Sequence, residues 1–313
     1  MDKSVVENRD LLQSALADLQ TQPKTLQSKW FYDQAGSVLF EQITELPEYY
    51  PTRTEISILR DQADALAAYI APGGALVELG SGASTKTRIL LDHFTALNSY
   101  VPIDISGDFL LQTARDLATD FPHLNVSPVV GDFMGMVKLP AALADTPKTA
   151  FFPGSTIGNL DQAAAVDLLA RVRDWSNIHA FIVGIDLVKN TDVLVQAYDD
   201  AAGVTAAFNL NILHRLNREV GADFDVSQFR HAARWNADES RIEMHLVSQV
   251  KQTVTIGAQQ INFDAGESIH TENCRKYTAQ SFSTIAAKAG WKADSFQTDQ
   301  DGLFGVCVLV PQS

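Results

Sequence analysis

An α/β fold on a mostly parallel sheet is predicted for this chain by three observations. Apolar runs of strand length alternate with helix-length segments from about residue 75 to residue 187. The first run feeds the next segment through Gly80-Ser81-Gly82. A helix and two further apolar runs then close the chain. Strand–helix alternation at this spacing means right-handed βαβ units and parallel strand neighbours.

Taken in order, residues 1–28 are polar with weak helical spacing at Leu11, Leu12, Ala15 and Leu19, as in one amphipathic helix and a loop. Six aromatics follow within about 20 residues: Trp30, Phe31, Tyr32, Phe40, Tyr49 and Tyr50. Trp30, Phe31 and Phe40 read as a hydrophobic cap over a core. Pro47 and Pro51 bracket Tyr49-Tyr50 and favour an extended or turn geometry, which would let Tyr32 and Tyr49 carry hydroxyls to a ligand. Glu55 to Ile70 reads as a helix closed by Pro72-Gly73-Gly74.

The strands expected next are Leu76–Leu79, Ser99–Ile103, Val126–Val130, Thr149–Phe152 and Ala180–Leu187. Thr85–Phe94, Gly107–Asp120 and Asp161–Trp175 are the helices between them. Residues 191–220 read as one long helical stretch. Arg241 to Phe263 alternates around Gly257, as in an antiparallel hairpin. A helix over Thr278–Ala289 stops at Gly290, and strands are expected at Trp291–Gln297 and Phe304–Val310. Five alternating strands, an insertion, then helix-strand-strand correspond to the seven-stranded, Rossmann-like sheet of a class I methyltransferase. The departure from alternation at 188–276, with the aromatic amino terminus, predicts a second α+β domain made of two pieces. The expected bounds are 1–54 and 188–276 for that domain, and 55–187 and 277–313 for the core.

Hydrophobic residues at 46% and charged residues at 20% are ordinary for a globular enzyme. A net charge of −14 disfavours nucleic acid, whose binding draws on clustered cations, and anionic membrane. No apolar run reaches the roughly 18–20 residues of a membrane span, and Met1-Asp2-Lys3 does not open a signal peptide. Cys274 and Cys307 make neither a disulfide scaffold nor a metal site. The expectation is a reduced, cytoplasmic monomer acting on a small molecule, without a metal.

In a doubly wound sheet, ligands sit beyond the carboxyl ends of the strands. After the first strand, Gly80 and Gly82 let backbone approach a ligand closely. Thr85 stands where the dinucleotide fingerprint needs its third glycine. Glu78 would repel a pyrophosphate and suit a cation, so the turn points to S-adenosylmethionine, a sulfonium without phosphate. Asp104 ends the second strand at a distance suited to ribose hydroxyls. Asp132 can accept from an adenine amino group, and Phe133 can stack on the ring. The fourth strand runs into FPGSTIGN, Phe152 to Asn159, and the fifth into Asp186. In that loop Gly158 permits an unusual dihedral. Asn159 either caps the next helix or, with both a donor and an acceptor, meets a zwitterionic amino acid.

KWFYDQAGSVLFEQITELPEYYPTRTE, LVELGSG, YVPIDIS, FFPGSTIGN, AYDDAAGVTAAFNLN and RIEMHL together resemble the histidine-specific Nα-methyltransferases of ergothioneine biosynthesis. Those enzymes make hercynine, the trimethylated betaine of histidine, from S-adenosylmethionine. The resemblance runs from about Lys29 to the carboxyl terminus. It implies cofactor residues at Gly80, Lys86, Asp104, Asp132 and Phe133. It implies that Tyr32, Gly154, Asn159 and Tyr198 meet the ammonium and carboxylate, with Tyr32 and Asn159 steering the reacting amine. It places Tyr49, Met244 and Glu272 against the imidazole. Two residues after the glutamate, where the family usually has serine, this chain has Cys274, whose thiol bonds a ring nitrogen more weakly. Two alternatives stand beside this reading: a methyltransferase of the same fold acting on another aromatic amino acid or imidazole amine, and a non-catalytic binding protein.

Overall fold

The computed structural model describes residues 8–312. Residues 1–7, the start of the expected amino-terminal segment, and residue 313 lie outside the described residues. The chain divides into two compact units, residues 1–50 with 189–274 and residues 51–188 with 275–313.

The second unit holds the large sheet. Its order is Trp291–Thr298, Phe304–Pro311, Ile178–Asp186, Lys148–Phe152, Gly74–Leu79, Leu97–Asp104 and Asn125–Val126. The short segment Val129–Val130 also pairs with Leu97–Asp104, on the edge that Asn125–Val126 uses. Both pieces therefore fill one position, and the sheet has seven. The single strand expected at Val126–Val130 is interrupted at Pro128, which has no N–H to give to a ladder. All neighbours are parallel until Phe304–Pro311, which runs antiparallel to Ile178–Asp186 and to Trp291–Thr298.

Gly74–Leu79 is buried along its whole length because both faces are covered. Val77 and Leu79 face a core with Leu168, Leu169, Phe282 and Trp291. Leu76 faces another with Ile58, Leu59, Leu90 and Phe94. The chain leaves Gly74–Leu79 toward Leu97–Asp104 on one side and returns to Lys148–Phe152 on the other. That reversal is the topological switch point, where a crevice opens beyond the strand ends.

The helix expected from Glu55 begins at Tyr50 and runs to Ala67. Pro51 is tolerated because the first turn of a helix has no intrahelical use for its N–H, so Tyr50 opens the helix instead of lying in a loop.

The first unit has a four-stranded sheet in the order Lys24–Thr25, Ser268–Arg275, Arg241–Ser248, Phe229–Asn236. Gln252–Ile256 and Gln259–Phe263 form the hairpin around Gly257, whereas Arg241–Ser248 belongs to the larger sheet. The expected helical stretch 191–220 is two helices, Thr191–Gln196 and Val204–Val220. It breaks because the Asp200 carboxylate takes the amides of Val204 (2.9 Å) and Thr205 (2.8 Å), starting the second helix afresh. Phe208, Ile212 and Leu216 on that helix are buried, and Phe31 packs on Phe208 at 4.7 Å. No helix among the described residues is long and apolar enough to cross a membrane.

Candidate active site

In the second unit, the loops after Gly74–Leu79 and Lys148–Phe152 flank the switch point. Gly80 has φ +68°, and a Cβ there would lie 3.4 Å from the Phe133 ring. Its amide and that of Ser81 both donate to the Ile103 carbonyl, at 2.8 and 3.1 Å. Gly82 N donates to Asp104 Oδ2 at 3.0 Å, and Ser106 N donates to Oδ1 at 2.9 Å. Asp104 thus ties the first loop to the second strand, and each oxygen keeps further accepting capacity. Asp132 Oδ1 accepts from Met134 N at 2.8 Å. The turn this forms sets Phe133 edge-on to Phe152, 5.2 Å between centroids. Gly80, Gly82, Asp104 and Phe133 are thereby brought together.

Glu78 has a structural part that its sequence reading did not include. It is buried beneath the turn and accepts from Thr87 Oγ1 (2.5 Å) and the Tyr100 hydroxyl, which also meets Ser84 Oγ at 3.0 Å. Burial pushes its pKa up to about 8, against the hydrogen bonds from Thr87 and Tyr100 and the charge of Lys86. Glu78 thus holds the turn from below through Thr87 and Tyr100.

Lys86 Nζ pairs with Glu55 Oε2 at 2.6 Å. Glu55 is fully buried and also accepts the Gly154 amide, at 2.8 Å from Oε2 and 3.1 Å from Oε1. Glu55 thereby fixes the Gly154 loop against Lys86. Sequence reading missed Glu55, although it closes PEYYPTRTE; no local pattern separates it from an ordinary helix carboxylate. The loop continues with Gly154 at φ +77° and Ser155 at φ +56°. Ser155 Oγ accepts the Asp186 amide at 2.9 Å. Gly158 does not take a positive φ; it is glycine because a Cβ would lie 2.7 Å from the Arg275 carbonyl. Asn159 ends a short 3-10 turn, and Asp161 caps the next helix, accepting from Ala164 N at 2.8 Å. The capping role read for Asn159 is excluded.

In the first unit, Tyr49 and Tyr198 meet edge to face at 6.0 Å. Tyr198 lies in the break between helices, where His231 Nε2 donates to its carbonyl at 2.8 Å. Tyr32 belongs to a separate aromatic group, 5.7 Å from both Phe40 and Phe208. Met244 is buried on Arg241–Ser248, and Thr271 Oγ1 donates to its carbonyl at 3.0 Å. On the neighbouring strand, the Cys274 thiol donates to Glu272 Oε2 at 3.6 Å.

Residues 11–311 match the family described as histidine-specific methyltransferase, SAM-dependent. The chain belongs to that family. It is 44% identical over 303 residues to the histidine N-alpha-methyltransferase of Mycolicibacterium smegmatis, covering 94% of this chain and 92% of that one. It is 42% identical over 306 residues to the protein of the same name from Mycobacterium tuberculosis, covering 95% and 93%. Ergothioneine biosynthesis protein 1 of Schizosaccharomyces pombe is 27% identical over 85% of this chain and 36% of its own length.

The second unit of this histidine-specific methyltransferase fits the cofactor its family uses. Ser81 Oγ is buried with no hydrogen-bond partner among the described residues, a donor left for a ligand. A Cβ on Gly82 would meet nothing within 4 Å, so space stands open beside the turn. Asp104 supplies acceptors for hydroxyls, and Phe133 a ring face. Lys86 and Glu55 add a cation whose charge is already paired, where a phosphate site would have it free.

Proposed function

We propose that this chain transfers methyl groups from S-adenosylmethionine to the α-amino nitrogen of L-histidine three times, giving hercynine and so performing the first step of ergothioneine biosynthesis. The observation that carries this reading is the match to two proteins named histidine N-alpha-methyltransferase over more than nine-tenths of both chains.

Residues 51–188 and 275–313 hold the cofactor, through Gly80, Lys86, Asp104, Asp132 and Phe133. Residues 1–50 and 189–274 supply selection of the amino acid. S-adenosylmethionine brings an electrophilic methyl, so the protein needs neither a covalent nucleophile nor a metal for the transfer; its residues position and desolvate. The amine must present a lone pair. Tyr32 and Asn159 take up its N–H groups and turn the lone pair toward the methyl, and the Gly154 carbonyl accepts from the ammonium. Asn159 and Tyr198 grip the carboxylate. Tyr49 and Met244 flank the imidazole, and Glu272, held by Cys274, accepts from a ring N–H. Each added methyl removes one N–H donor. Aromatic faces such as those of Tyr32, Phe40 and Phe208 tolerate the resulting quaternary ammonium. We read the protein as a cytoplasmic monomer with its cysteines reduced.

Mass spectrometry of histidine and S-adenosylmethionine incubated with the protein tests this. Hercynine supports it. A methylated product from only another aromatic amino acid or imidazole amine favours the same-fold alternative. Binding without turnover favours a non-catalytic protein.

A further inference from the structure

Three side chains of the first unit converge without a part in the reading above. Glu243 and His245 stand two residues apart on Arg241–Ser248, and so share a face. His270 stands on the neighbouring strand Ser268–Arg275. One ligating atom from each lies within 4.8 Å of the other two. The imidazoles of His245 and His270 are stacked, with centroids 4.9 Å apart and planes at 22°. His245 Nε2 lies 3.2 Å from Glu243 Oε2.

The outer atoms of all three are already held. His270 Nε2 is 3.1 Å from the Glu272 carbonyl. A carbonyl only accepts, so this nitrogen carries the hydrogen and Nδ1 keeps the lone pair. Ser268 Oγ lies 3.3 Å from His245 Nδ1, leaving Nε2 to the cluster. Glu243 Oε1 accepts from Asn236 Nδ2 at 2.8 Å and from Arg241 Nη2 at 2.7 Å, which turns Oε2 toward His245. Metal-binding histidines and carboxylates are oriented by outer partners of this kind. The side chain of Asn273 interacts with the His270 ring and adds a further polar neighbour to the cluster.

We infer that Glu243, His245 and His270 bind a divalent transition metal such as zinc, clipping the strands Arg241–Ser248 and Ser268–Arg275 together. Two imidazoles and a carboxylate are a zinc ligand set that leaves the fourth position to water. Arg241, and Arg234 opposite Glu243 across the strand pair, oppose the ion's charge and weaken its binding. This site departs from the sequence expectation of no metal, and it is independent of the proposed reaction.

Chelator-treated, tag-free full-length protein is titrated with Zn²⁺ by calorimetry and with Co²⁺ by visible absorption. One equivalent of Zn²⁺ should bind, with a rise in Tm, and Co²⁺ should give d–d bands. Glu243→Gln and His270→Gln should each weaken binding at least tenfold, while His123→Gln, exposed and elsewhere, should not. Circular dichroism identifies any variant that does not fold; Glu243→Gln, which keeps an oxygen to accept from Asn236 and Arg241, then decides alone. No stoichiometric binding by the wild type, or full affinity in Glu243→Gln, overturns the site.

Discussion

The carboxylate of Glu55 occupies the space that Gly184 leaves by having no side chain: a Cβ on Gly184 would lie 2.0 Å from Glu55 Oε1. A strand residue thereby makes room for the group that joins Lys86 to the Gly154 loop. Gly184→Ala should push Glu55 off both partners, and Glu55→Ala should leave Lys86 without its charge. Removing one member of a buried pair costs roughly 3–5 kcal/mol. Urea denaturation measures this, and wild-type midpoints for both variants would show that the pair is not what holds the loop.

Asp104→Ala should weaken S-adenosylmethionine binding by roughly 1.5–3 kcal/mol, the worth of hydrogen bonds to a charged group. Because Asp104 also takes the Gly82 and Ser106 amides, Asp104→Asn is the control for loop shape. Calorimetry with unchanged affinity in Asp104→Ala removes this residue from the cofactor site.

Asn159→Ala and Tyr198→Phe should lower affinity for histidine and for its mono- and dimethyl forms alike, since all share the carboxylate. Tyr32→Phe should act more on turnover than on binding. Single-turnover rates for each methylation step test this; wild-type rates throughout in Tyr32→Phe end its role in steering the amine.

Side-chain choice rests on the strand pair that carries Met244 and Glu272. Glu272→Ala with Met244→Val should lose histidine activity and gain some toward a larger apolar ring such as that of tryptophan. Cys274→Ser replaces a 3.6 Å thiol contact with a stronger hydroxyl bond to Glu272. Histidine binding should tighten by at most about 1 kcal/mol. Equal affinities would make Cys274 a packing residue, and a weaker serine variant would reverse the hydrogen-bond argument.

Glu78 gives a pH dependence with a definite sign. Its pKa rises from 4.5 in the unfolded chain to about 8 when folded, so the folded state binds the extra proton between those values. Stability from this group is full below about 4.5 and is lost as pH rises through 8. Glu78→Gln should flatten that decline, being relatively more stable at pH 8 than at pH 5. Parallel melting curves for both proteins would sink the assignment.

Strands buried on both faces were legible because their apolar runs are continuous, as at Gly74–Leu79 and Ile178–Asp186. Phe229–Asn236 and Ser268–Arg275 were not. The first carries Arg230, His231 and Arg234 on partly covered faces, and the second buries Thr271 and Glu272, so neither shows apolar alternation. The turn residues after each core strand could be read from position alone. Glu55 could not, because what distinguishes it is a missing Cβ at Gly184, far along the chain. The bonds of Glu78 to Thr87 and Tyr100 could not be read either, because nothing in the glycine turn announces them.

The pairing of Lys24-Thr25 with Ile269-His270 joins residues made early in translation to residues made near its end. Phe31 emerges from the ribosome early, yet Phe208, which packs on it, follows much later, and the four-stranded sheet of their unit is completed only with the strand ending at Arg275. The other unit waits longer, for Phe304–Pro311, an interior strand of its sheet. No nascent chain short of that strand contains both finished cores. Connectivity, and not final stability, therefore sets how long apolar surface stays uncovered on the growing chain.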